Sequence, residues 1–162
     1  MKAVLLSIQP LYGYKIAIGE KLVEIRKRKP NLEFPFKVYL YCSSINRMPL
    51  VEYVAAHKAT GGAIDGWWGK VFAEFTCNDI ISIDTTVPSD NLKLKEFPFD
   101  TACLSPNQII SYIGYGNTGY GWCVSDVKVY DEPKNVTDFS YAGCIDKLKR
   151  PPQSYCYVNG KE

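Results

Sequence analysis

Apolar residues along this chain cluster or alternate at spacings that mark short strands and a few short helices. Residues 3–8 (Ala-Val-Leu-Leu-Ser-Ile) form a nearly unbroken apolar run and predict a first strand. Pro10 then suits the first turn of a helix whose Leu11, Tyr14 and Ile18 recur at three and four, with Gly19 as its C-terminal stop. Val23 and Ile25 alternate with Leu22, Glu24 and Arg26, so a second, two-faced strand over 22–26 follows directly. Lys37 to Cys42 reads as a third strand, and Pro49 to His57 as a short helix ending at Thr60-Gly61-Gly62. Lys70 to Asp84 is a long alternating strand that Asn78-Asp79 would bulge.

Residues 85–101 are polar and contain Pro88, which predicts a surface loop. Ser105-Pro106 looks like an N-cap and first helical residue ahead of Ile109, Ile110 and Ile113. Gly114 to Gly121 reads as a flexible aromatic loop leading into a strand over Trp122 to Tyr130, which Asp131-Glu132-Pro133 closes. After a basic cluster at Lys147, Lys149 and Arg150, Pro151-Pro152 breaks the chain before a last strand around Tyr155 to Val158. Strands outnumber helices without regular alternation, so the fold class is α+β: a small, mostly antiparallel β-barrel with two or three short helices, with an open α+β sheet as the alternative.

Composition narrows the function classes. At 162 residues, one domain over 1–162 is the expectation. A net charge of +2 is too small for a polybasic binder, so contact with a polyanion requires a local patch. No apolar run approaches the roughly 20 residues that span a bilayer, and the start lacks the apolar core of a signal peptide. The six cysteines include no Cys-x-x-Cys pair, which argues against a zinc ribbon or thioredoxin site; several fall on apolar strand positions, as buried reduced thiols of a cytoplasmic protein do. No metal or cofactor is expected. His57, the single histidine, sits among Ala55, Ala56 and Lys58 on the probable helix, so histidine-based triads find no partner set.

The informative chemistry is Lys21, Glu24 and Arg26, two cations and an anion within six residues at a helix-to-strand junction. Glu24 and Arg26 share a strand face, and Glu24 would orient both cations while leaving donors for a phosphate, carbonyl or base edge; a surface ion-pair ladder is the alternative. Gly19, Lys21, Glu24 and Arg26 match all four positions of the Gly-x-Lys-x-x-Glu-x-Arg signature, and the chain here resembles the ASCH domains of the PUA-like barrel superfamily. Residues 6–10 and 16–19 resemble the family's strand and helix before the signature, and residues 122–129, Pro133 and residues 150–158 resemble a bacterial and phage subgroup.

That resemblance implies a PUA-like barrel that binds RNA or a nucleotide, with a single-stranded or modified base in a cleft walled by Lys21, Glu24 and Arg26, and with Ser7 and Gln9 beside them. It also implies an alternative, a small hydrolase of a modified nucleoside or RNA with Lys21 as the catalytic group. In one bacterial member, an amidohydrolase of acetylcytidine, threonine stands at the position matching Glu24. Here that position is Glu24 and no carboxylate lies between Ser105 and Ile113, so the resemblance points to binding. Trp67, Trp68 and Trp122, with Tyr112, Tyr115 and Tyr120, are candidate stacking platforms for unpaired bases, or else core and loop anchors. A third reading, a protein partner, would show as an exposed apolar patch around Trp67 and Trp68.

Overall fold

A computed structural model describes residues 1–43, 48–88 and 99–161. Proline at the first helical position starts two of the helices, α1 (Pro10–Ala17) and α3 (Pro106–Ile113); a third, α2, covers Leu50–Ala59. In α3 the Ser105 hydroxyl accepts from the Gln108 amide while the Gln108 side chain accepts from the Ser105 amide, a complete capping box. Past α1, Gly19 adopts φ +80°, the left-handed turn that releases the chain into the next strand.

The strands are β1 (Lys2–Ile8), β2 (Val23–Arg26), β3 (Phe36–Cys42), β4 (Val71–Asp84), β5 (Thr118–Lys134) and β6 (Tyr155–Asn159). They form one sheet in the order β2-β5-β4-β3-β1-β6, antiparallel throughout except for the parallel β1–β3 pair. The α+β class is as expected. The barrel is not closed by hydrogen bonds, because β2 and β6 remain edges, so the predicted barrel becomes a curled sheet with a seam. Three register shifts between β4 and β5 bend these long strands. One lies at Asn78-Asp79 as the sequence predicts, and another accommodates Asp126 at φ +48°.

Two expectations change. Asp131-Glu132-Pro133 does not end β5 but forms a bulge within it, between the Val71–Lys134 and Ala73–Val129 pairs. Gly119, Tyr120 and Gly121 are strand, not flexible loop. A Cβ on Gly119 would lie 2.0 Å from Ile113 Cδ1, and one on Gly121 would lie 2.8 Å from Val23 Cγ1, so these glycines admit close neighbours. β2 keeps its two faces, Val23 and Ile25 against α3 and Glu24 with Arg26, but all four residues are buried, so the charged face is not a solvent-facing one. Residues 85–101, expected as a loop, fall largely outside the described residues; Phe99–Ala102 is a short 3-10 turn.

The main core gathers Leu6, Phe36, Leu40, Phe72, Phe75 and Trp122 inside the curl. A second cluster, with Tyr39, Phe139 and Leu148, covers the outer face of β1, β3 and β4. A third packs Val23, Ile25 and Ile83 against Ile109 and Ile113 of α3, fixing that helix over β2. Among the described residues no helix is long and apolar enough to cross a membrane.

Candidate functional site

Burial of β2 forces its charged side chains to satisfy one another. Lys21 is 1% exposed and Glu24 6%. Lys21 Nζ donates to the Ala102 carbonyl at 2.5 Å and lies 3.3 Å from Glu24 Oε2. Arg26 Nε donates to Glu24 Oε1 at 3.0 Å, and its Nη2 donates to the Ser7 carbonyl at 2.7 Å. Glu24 therefore sits between two cations, as the spacing predicted, and the alternative of a surface ion-pair ladder is excluded by burial.

The Arg26–Ser7 bond reaches from edge strand β2 to the end of β1, the strand beside the opposite edge strand β6. Beside it opens a cleft of about 660 Å³. Ser7 and Gln9 line one side, Lys21, Glu24 and Arg26 the floor, and Asn107, Gln108, Ser111 and Tyr112 of α3 the other side. Tyr12 and Gln153 also line it, with Ile8, Ile25, Ser43 and Leu104. Burial, then the charge of Glu24, raises the Tyr12 phenol; burial and Glu24 also raise Tyr112, although Arg26 pulls it back. Both are neutral hydroxyls near pH 7, able to donate. The Tyr12 ring faces Lys21 at 5.1 Å, and Lys27 covers the Tyr112 ring at 5.3 Å. Each ring is thus backed by a cation beside the cleft.

Six of the residues singled out from sequence, Ser7, Gln9, Lys21, Glu24, Arg26 and Tyr112, line this one cleft. The three tryptophans do not. Trp67 is buried and stacks on Phe72 at 4.5 Å; Trp68 is half-buried against the main core. Trp122 is wholly buried, with its indole N–H donating to the Arg28 carbonyl at 3.2 Å. These indoles pack inside the fold, so Trp67 and Trp68 do not themselves form an exposed patch. Sequence reasoning missed Asn107, Gln108 and Ser111, although a stripe of amides and hydroxyl opposite Ile109 and Ile113 on an amphipathic helix is a readable signal. Gln153 carried no such signal.

All six cysteines are free thiols. Burial pushes Cys42 and Cys77 up to about 12, as inert core thiols behave, whereas Cys144 is exposed. Among the described residues no cluster of histidine, cysteine and carboxylates could hold a metal ion.

No family model matches the chain, and no curated protein sequence does. Solved structures do. The crystal structure of ASCH from Zymomonas mobilis superposes with a TM-score of 0.63 at 18% identity, over 97% of this chain and 87% of that one. Two variants of that Zymomonas mobilis protein, one with tyrosine replaced by phenylalanine and one with serine replaced by alanine, give TM-scores of 0.62 and 0.63 at 17% identity. At that identity the likeness is one of architecture: the chain has the fold of an ASCH protein, the fold its Gly19, Lys21, Glu24 and Arg26 signature led us to expect.

Proposed function

We propose that the cleft receives a single unpaired or modified nucleobase, making the protein an RNA- or nucleotide-binding module. The observation that carries this reading is Arg26. Its guanidinium is held through Nε and Nη2 by Glu24 and the Ser7 carbonyl, so its orientation is set before any ligand arrives. The cleft volume lies in the range of about 300–1,000 Å³ typical of small-ligand sites. Its amides supply donors and acceptors for a base edge, and Tyr12 and Tyr112 bring aromatic rings to its lining, the surfaces on which unpaired bases stack. A hydrolase working through Lys21 has less to support it, since that ammonium is committed to Ala102 and Glu24 at the bottom of the site.

Ligand-observed NMR against nucleosides, acetylated and methylated nucleosides and short single-stranded RNAs tests the proposal. Wild type, Arg26→Gln and Tyr112→Ala are compared over hours. We expect binding without conversion, weakened about tenfold or more in both variants, in line with about 1–3 kcal/mol for a good bidentate or stacking contact. Equal affinity in all three folded proteins overturns the reading, and a new product that disappears in Lys21→Ala replaces it with the hydrolase.

A further inference from the structure

We propose that a second hollow next to the cleft is a subsite for the adjoining nucleotide, so that the ligand is a single-stranded polynucleotide of at least two units. This rests on the nucleobase reading of the cleft. The hollow, about 460 Å³, is lined by Tyr141, Leu148, Arg150, Pro151, Pro152 and Cys156, and Gln153 belongs to both linings. The partition between the two sites is therefore the Pro152-Gln153 segment.

That partition is pinned to the residue that orients the cleft arginine. The Ser7 hydroxyl donates to the Pro152 carbonyl at 2.6 Å, and the Ser7 amide donates to the Ser154 carbonyl at 2.9 Å. The Ser7 carbonyl meanwhile accepts from Arg26. One residue thus sets both the cation in the cleft and the wall beside it.

The hollow's chemistry suits a base and a phosphate together. Tyr141 is 44% exposed and offers a ring face, Pro151 and Pro152 add flat apolar wall, and Leu148 is buried beneath. Burial pushes the Cys156 thiol up to about 11, so it adds neutral, apolar surface. Arg150 is exposed and has no ion pair among the described residues, and no carboxylate lines the hollow. An inorganic anion would use Arg150 and leave the ring and prolines idle. A nucleotide joined by one phosphate to the base in the cleft uses all of them.

The test is calorimetric titration of the common ribonucleosides and of the dinucleoside monophosphates built from them. Wild type is compared with Arg150→Ala and Tyr141→Ala, both at exposed positions. We expect the dinucleoside monophosphate to bind about tenfold to a hundredfold more tightly than its nucleoside. Both substitutions should erase that gain and leave nucleoside affinity unchanged. Equal affinity of the two ligands for wild type, or a gain that survives both substitutions, overturns the subsite alone. Nucleosides and dinucleoside monophosphates that all fail to bind wild type overturn the cleft reading and the subsite with it.

Discussion

Replacing Glu24 by glutamine keeps the shape of the side chain and removes the one negative charge between Lys21 and Arg26. At 3.3 Å and 3.0 Å the two attractions are each worth about 5 kcal/mol at an effective dielectric of about 20. Burying the carboxylate costs much of that back, and breaking a buried pair from one side nets about 3–5 kcal/mol of destabilisation. For a chain of this length, with about 2–4 °C per kcal/mol, the melting temperature should fall by about 6–20 °C. Urea denaturation at neutral pH measures the loss directly. Two further arms locate its cause. Changing Lys21 to methionine in the Glu24→Gln background should recover part of the loss, because one stranded cation is gone. Added sulfate should stabilise Glu24→Gln more than wild type, because the site then carries two uncompensated cations. A loss below about 1 kcal/mol would mean that solvent already screens the three groups, and the argument from burial would be wrong.

Burial alone would raise the Glu74 carboxyl, but hydrogen bonds from Lys37 and Tyr130 and the Lys37 charge hold it below its ordinary 4.5. A depressed carboxylate contributes stability that is present above 4.5 and lost as pH falls through the folded value, so Glu74→Gln should flatten the acid limb of a stability-versus-pH curve. Gly119→Ala places a methyl 2.0 Å from Ile113 Cδ1, and the strain of moving α3 should cost about 1–3 kcal/mol by chemical denaturation and weaken ligand binding with it. Of the six thiols, the exposed Cys144 should react first with an aromatic disulfide reagent while buried Cys42 and Cys77 wait for unfolding; Cys144→Ser should remove the fast phase.

Much of this architecture is legible because local signals agree with tertiary ones. Proline at the start of α1 and α3, the Ser105 cap and glycine at 19 place the helices and the turn into β2 to within a residue or two. The triad was legible because two residues apart on a strand means the same face, and the ion pair between Glu24 and Arg26 followed. What failed were glycines and a proline whose meaning depends on distant neighbours. Gly119 and Gly121 look flexible until Ile113 and Val23 are seen pressing on them, and Pro133 looks like a terminator until the β5 bulge absorbs it. The tryptophans misled for the converse reason, because a ring beside glycines can fill a core as well as a binding face. Asn107 and Gln108 face a cleft only because the third core cluster sets α3 over β2, a contact between parts of the chain some eighty residues apart.

The gap between edge strand β2 and the β1–β6 end of the sheet has a topological consequence. The inside of the curl is packed core, so the cleft lies along this gap and not in a lumen. There the two ends of the sheet are linked at the cleft by the side chain of Arg26 rather than by a ladder of backbone bonds. On the proposed reading of the cleft, an internal stretch of a long strand can be laid in sideways while both ends stay attached elsewhere. Free termini then contribute nothing to recognition, and a covalently circular single strand should compete for the cleft as well as a linear one of the same sequence.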